Sequence, residues 1–169
     1  MGNATDALEI GLMAGGLKKG SEVIISSHTM IATASAIVVA GAIPVPIDCG
    51  NDHMIDVTKI ESAITEKTSA IMPTQLNGRV CEMDAIFKIA DKHNLEVYED
   101  SAQALGAKYK NQTAGTFGIA GCISFYPAKT MGCFGDGGAL LIQDKEVYKK
   151  AKLIRDHGRN EENLSLIHI

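Results

Sequence analysis

The sequence has no excess of positive charge: 16 Lys and Arg stand against 20 Asp and Glu, a net charge of −4. Proteins that neutralise phosphate backbones carry a basic patch or stripe, so a nucleic-acid partner is disfavoured. Cysteine is sparse. Cys49, Cys81, Cys122 and Cys133 are scattered, with no C-x-x-C pair and no interleaved histidines. Neither a zinc site nor a disulfide framework is indicated, no metal is expected, and reduced thiols in a cytoplasmic protein fit the spacing. The start, MGNATDALEIG, lacks the basic region and apolar core of a secretory signal. Long apolar runs are missing too. The uncharged stretch IATASAIVVAGAIPVPI (31–47) falls short of the roughly 20 residues that span a bilayer, and Pro44 and Pro46 interrupt it. A soluble protein without a membrane segment is expected. No internal repeat, low-complexity tract or linker is visible.

What is present is the material of one globular domain: 169 residues, 46% hydrophobic and 21% charged. Short apolar runs at 22–27, 43–48, 70–74, 95–100, 122–127 and 139–143 read as buried strands. Helical patterns separate several of them. The 31–47 stretch parses as a small-residue helix from about Thr29, a Gly41 C-cap, and a strand ending at Asp48. MDAIFKIADKHN places Met83, Ile86, Phe87 and Ala90 on one helical face. DKEVYKKAKLIRDHG opens with Asp144 as cap and closes with Gly158. This alternation predicts an α/β fold, a three-layer αβα sandwich with a mostly parallel sheet.

In such sheets ligands bind where strands end and helices begin. Three polar features fall at those places. NATDALEIG feeds a helix, so the amides around Ala4, Thr5 and Asp6 would face an anion. LEVYEDSAQALGA ends a strand in two acids, with Gln103 three residues past Asp100. ISFYPAK ends another with Ser124 and Lys129. Each alone has an ordinary explanation as a capped helix, a solvated strand end or a loop lysine. Together they form an anion cradle, a carboxylate and an amine. Pyridoxal 5'-phosphate requires that set: amides and hydroxyls for its phosphate, a carboxylate to keep its ring nitrogen protonated, and a lysine for its aldehyde.

The motifs NATDAL, HTMIATASAIVVAGAIPVPID, NGRVCEMDAI, YEDSAQALGAKY and SFYPAKTMGCFGDGGAL, in this order, resemble the DegT/DnrJ/EryC1/StrS sugar aminotransferases, pyridoxal-phosphate enzymes of fold type I. The resemblance covers almost the whole chain. It implies that Lys129 anchors the cofactor covalently and later carries a proton, and that Asp100 pairs with the ring nitrogen. Gln103 would bond the 3'-oxygen side of the ring, while Ser124, Thr5 and the amides of Ala4 and Asp6 would bind phosphate. Two positions depart from the family pattern. Ala4 stands where glycine is more common, and Met30 stands where an aromatic ring usually stacks on the cofactor. Met30 is expected to cover the ring through its thioether, with His28 as the alternative. Glu99 is expected to be a structural acid, and GDGG (135–138) a tight turn near the cofactor, with Asp136 as its cap.

The implied activity is transfer of an amino group from glutamate or glutamine to a nucleotide-linked keto-sugar, ping-pong through the pyridoxamine form, by a homodimer. A pyridoxamine-dependent sugar dehydratase of the same family would carry histidine in place of Lys129. A non-catalytic regulatory or binding protein on the same fold is a further alternative. Family members are more than twice as long, so residues 1–163 are expected to be an incomplete cofactor domain, with Met1 an internal start and the chain inactive alone. The ending LSLIHI (164–169) reads as a translated sequencing adapter and is expected to be non-native.

Overall fold

Burial of the central strands on both faces of the sheet organises the molecule. The computed structural model describes residues 1–159; the 164–169 segment lies outside them. Six strands form the main sheet: β1 (Glu22–Ser26), β2 (Ile43–Ile47), β3 (Thr68–Met72), β4 (Glu96–Asp100), β7 (Ala120–Ser124) and β8 (Gly138–Leu141). Their order is β2-β1-β3-β4-β7-β8. Every neighbouring pair is parallel except β7 and β8. A short antiparallel hairpin, β5 (Lys108–Tyr109) with β6 (Gln112–Thr113), stands apart. The expected strands all lie within a few residues of observed ones; the hairpin was not foreseen.

Successive side chains of a strand point to opposite faces, and two cores result. Val23, Ile25, Ala70, Met72 and Tyr98 face one way, against α1 (Ala4–Ala14) and α2 (Ile31–Val39). Ile24, Ile71 and Val97 face the other, where α3 (Val57–Ile60) and α4 (Met83–His93) contribute Ile60, Met83, Ile86 and Ala90. Each fully buried aliphatic side chain stabilises the fold by about 1.5–3 kcal/mol. α5 (Lys145–Arg155) packs beside α1 and is capped by Asp144, whose side chain accepts from the amides of Glu146 and Val147 at 2.8 and 2.9 Å. The result is the three-layer α/β sandwich.

β2 lies at the edge, and this explains its prolines. Ile43 donates its amide to Ser21 across the pair with β1, while Pro44 and Pro46, which have no N–H, alternate with the residues that bond inward. The outer side therefore offers few donors, which blunts edge-to-edge association. α2 begins at Ile31 rather than Thr29, because Met30 is still extended (φ −69°, ψ 147°). That extended residue carries the chain from β1 across the end of the sheet.

Among the described residues two buried hydroxyls, those of Ser69 and Tyr98, are left without a partner. The Tyr98 hydroxyl accepts and donates nothing, although the residue is 1% exposed. Its oxygen abuts Gly15 at the end of α1, where a Cβ would lie 2.3 Å away. Burial pushes the phenol above its ordinary range. Tyr98→Phe removes an unsatisfied polar atom and should raise the unfolding free energy by about 1 kcal/mol in urea denaturation. In the unfolded chain the phenol ionises near pH ~10, while the folded chain retains the proton. Stability of the unaltered chain therefore falls as pH rises past that point, and the advantage of the Phe variant should widen between pH 8 and pH 11. A constant difference would show that the phenol ionises alike in the folded and unfolded chain, so that burial does not hold its proton.

Candidate active site

The chain steps from β1 outward to β2, then returns to the far side of β1 as β3. The carboxyl ends of β1 and β3 thus flank a point where the connections diverge, the usual place for a crevice in an open α/β sheet. A cavity of about 460 Å³ opens there, lined by residues from the start of α1, the β1–α2 connection, the ends of β3, β4 and β7, and the loop after β7.

Asp100 forms its floor. The residue ends β4 and is 4% exposed. Burying a carboxylate is tolerated only where donors replace water, and three donors reach it. Thr33 donates to Oδ2 at 2.5 Å; the Ala102 amide at 3.1 Å and the Cys122 thiol at 3.5 Å donate to Oδ1. Burial, then the neighbouring Asp100 charge, push the Cys122 thiol well above its ordinary pKa, so it stays protonated as a donor. Thr33 has a single hydroxyl proton and gives it to Asp100. In its 2.6 Å contact with Thr29, Thr29 must therefore be the donor, and Thr74 in turn donates to Thr29 at 2.9 Å. Three threonines from two strand ends and one helix thus form a chain of hydroxyls whose protons all point towards Asp100.

The anion cradle lies at α1. Asn3 caps this helix by accepting the Asp6 amide on its side chain at 2.8 Å. The amides of Ala4 and Thr5 remain for a ligand, and both residues line the cavity with Asn3. Asp6 departs from expectation: its amide is taken by the cap, and the residue does not line the cavity. Ser124, 6% exposed at the end of β7, accepts the Tyr126 amide at 3.3 Å and keeps its own proton for a ligand. Gly138 makes the cradle possible. A Cβ there would lie 2.5 Å from the carbonyl carbon of Asn3 and 2.7 Å from the Ala4 nitrogen. Only a residue without a side chain lets β8 start against the head of α1.

The other expected residues collect at the rim. Lys129 is half-buried in the loop after β7, its amide bonded to the Tyr126 carbonyl at 2.8 Å, and its side chain lines the cavity. Gln103 accepts the Asn77 amide at 3.3 Å on its side-chain oxygen, leaving its amide nitrogen as a donor at the cavity. Met30 is 57% exposed and lines the cavity, whereas the alternative, His28, bonds the His53 carbonyl and does not. Asp136 also lines the cavity. Glu99, wholly buried, points the other way and accepts from Gln75, Gly115, Phe117 and Gly118, a structural part. Thr29, Thr33, Thr74, Asn3 and Tyr126 were not singled out from sequence. Local signals exist for some of them: Asn3 stands directly before a helix, where asparagine is a preferred cap, and Thr29 and Thr33 are four residues apart.

This donor set fits pyridoxal phosphate: two helix-start amides and a serine hydroxyl for a phosphate, a buried carboxylate for a protonated ring nitrogen, and a rim lysine for an aldehyde. The DegT/DnrJ/EryC1/StrS aminotransferase family matches residues 1–167. The chain belongs to this family. Among curated relatives it is 46% identical over 158 residues to the pleiotropic regulatory protein of Geobacillus stearothermophilus, covering 93% of this chain and 42% of that protein. It is 41% identical over 157 residues to the dTDP-3-amino-3,4,6-trideoxy-alpha-D-glucose transaminase of Streptomyces venezuelae, covering 92% and 41%. Among solved structures it superposes on NtdA of Bacillus subtilis with bound cofactor PMP at a TM-score of 0.90 and 35% identity, over 99% of this chain and 38% of the other. The chain of this aminotransferase family thus spans about two fifths of the length of the relatives it matches.

In this family member the contact at Gly138 can be tested directly. Gly138→Ala sets a methyl against the backbone of Asn3, and overpacking of this kind costs about 1–3 kcal/mol. The strand and helix must part, which opens the cradle. Equilibrium binding should show the variant losing its preference for pyridoxal 5'-phosphate over pyridoxal, while Schiff-base capture of either compound persists. An unchanged preference would mean that the close approach does not shape the phosphate site.

Proposed function

We propose that this chain is the cofactor-binding part, residues 1–163, of a pyridoxal-phosphate-dependent aminotransferase that moves an amino group from glutamate or glutamine to a nucleotide-linked keto-sugar. One observation carries the reading: a buried, fully hydrogen-bonded carboxylate, Asp100, lies beneath a cavity whose rim holds Lys129 and whose far wall holds the amides of Ala4 and Thr5. The named substrates of the transaminase relative supply the sugar class.

Asp100 would hold a proton on the ring nitrogen, and the threonine chain behind it fixes its orientation. Ala4, Thr5 and Ser124 would orient the phosphate, Gln103 would donate to the ring oxygen, and Met30 would cover the ring face and exclude water. Bound pyridoxal phosphate supplies an electrophilic aldehyde and an electron-accepting ring. Lys129 Nζ would serve as covalent anchor and then as the base and acid that takes and returns the substrate proton. No side-chain hydrogen bond or ion pair holds this ammonium among the described residues, which leaves it free to swing between those tasks.

Homodimerisation belongs to the same proposal. Ile31, Val38 and Val39 on the outer face of α2, with Met131 and Phe134 in the loop after β7, expose apolar surface that a second copy and the remaining protein would cover. No helix among the described residues is long and apolar enough to cross a membrane. A cytoplasmic enzyme fits that finding.

The name of the Geobacillus relative favours a regulatory reading as the alternative. Borohydride reduction of the chain with pyridoxal phosphate, followed by peptide mapping, should find the cofactor on Lys129. Label on another lysine would overturn the site. In a parent-length protein Asp100→Asn should lower glutamate half-transamination by about 10²–10⁴-fold with little loss of stability. The 169-residue chain alone should capture cofactor weakly and show no turnover. Full-length protein that captures cofactor at Lys129 and yet transaminates nothing would favour the regulatory reading.

A further inference from the structure

On the same edge of the sheet, one strand further out, three soft donors meet. His28 follows the end of β1, and Cys49 follows the end of β2; these strands are parallel neighbours in register, with Ser26 opposite Ile47. The chain then turns through Gly50 and Asp52 and brings back His53, whose backbone sits in the left-handed region at φ 65°. The His28, Cys49 and His53 donor atoms all lie within 4.8 Å of one another. The imidazoles stand edge to face with centroids 5.6 Å apart. His28 is oriented by a 3.2 Å contact between its Nδ1 and the His53 carbonyl. In that contact Nδ1 carries the proton, so Nε2 presents its lone pair to a ligand.

We propose that His28, Cys49 and His53 form a Zn²⁺ site. A thiolate and two imidazoles are the ligand types zinc takes, and magnesium or calcium would need oxygen donors that this set does not offer. In a tetrahedral site with Zn–S near 2.3 Å and Zn–N near 2.0–2.1 Å, donors stand roughly 3.3–3.6 Å apart. The gap from 4.8 Å closes by side-chain rotation, for which the exposed imidazoles have room. A carbonyl holding the other nitrogen of a ligating histidine is the usual outer-shell partner of such a site. The fourth position stays open to solvent. The site lies outside the cavity described above, since none of its three residues lines it. A metal there would tie together the ends of β1 and β2, immediately before Thr29 and Met30 enter that cavity.

The test uses the purified 169-residue chain and the metals themselves. Titration with Zn²⁺ should show one equivalent bound. Co²⁺ in its place should give the visible bands of a tetrahedral ion and a thiolate charge-transfer band in the near ultraviolet. Cys49→Ser should abolish that band. It and His53→Asn should each weaken Zn²⁺ binding by at least the roughly 10–100-fold that loss of an outer-shell partner alone produces. Cys133→Ser should change neither. On the unaltered chain, Zn²⁺ should slow alkylation of Cys49 and leave Cys133 reactive, with EDTA restoring the rate. This readout does not depend on any variant folding. Absence of stoichiometric binding, a charge-transfer band that survives Cys49→Ser, or equal alkylation of Cys49 with and without Zn²⁺ would overturn the proposal.

Discussion

A buried carboxylate has to be compensated, and the arrangement of the cavity follows from how Asp100 is compensated. Its position at the end of β4 is set by the sheet, but its donors come from elsewhere: Thr33 from α2, Cys122 from β7, and the Ala102 amide from the turn after the strand. Thr33 is in turn held by Thr29 and Thr74. Moving any one of these elements away would remove one of the donors that replace water around a buried carboxylate, which costs more than an ordinary lost contact. The carboxylate thereby couples the carboxyl ends of β3, β4 and β7 and the start of α2. The same elements deliver Met30, Gln103 and Ser124 to the cavity.

Strand parity lets two adjacent acids serve opposite purposes. Asp100 points towards the cavity. Glu99, one residue earlier, turns to the other side and gathers the amides of Gly115, Phe117 and Gly118 with the Gln75 side chain. Those amides belong to the loop that leads into β7, the strand that pairs with β4 and carries Ser124. Glu99 thus holds in place the segment that aligns β7, while Asp100 faces the ligand. A shift of register by one residue would exchange the two and lose both functions.

Much of this was legible in the chain. Apolar runs of strand length, separated by helical spacing, located all six strands of the main sheet. The sequence NATDAL, the acid at 100, and the lysine after SFYPA marked the three walls of the cavity. The features that local pattern does not carry share a physical origin. Thr29, Thr33 and Thr74 act together only because β1 and β3 are neighbours, and strand order is not written in local periodicity. The same holds for His28, Cys49 and His53, whose spacing in sequence matches no metal motif; adjacency of β1 and β2 brings them together. Asp6 was misplaced for a different reason. A helix start offers several amides, and sequence alone did not show that Asn3 would take the one at Asp6. The hairpin β5–β6 consists of two-residue strands, too short for alternation to register.

The glycines after β7 show how a loop can be fixed without hydrogen-bonded secondary structure of its own. A Cβ at Gly132 would lie 2.4 Å from the Pro127 carbonyl oxygen, and one at Gly137 would lie 2.9 Å from the Cys133 sulfur. The segment is therefore folded back on itself, with Gly132 against the Pro127 backbone and Gly137 against the Cys133 and Phe125 side chains. Cys133 completes the turn by donating its amide to Phe125 at 2.8 Å, and Phe125 donates to Gly137 at 2.8 Å. Lys129 sits within this fold. Its backbone is held while its long side chain has no hydrogen-bond or ion-pair partner among the described residues, a combination that suits an amine required to reach more than one atom. A lysine on a loose loop would pay ordering entropy each time it engaged a ligand. Here the backbone share of that cost is already met by close packing around glycine, and only the rotamers of the Lys129 side chain remain to be ordered.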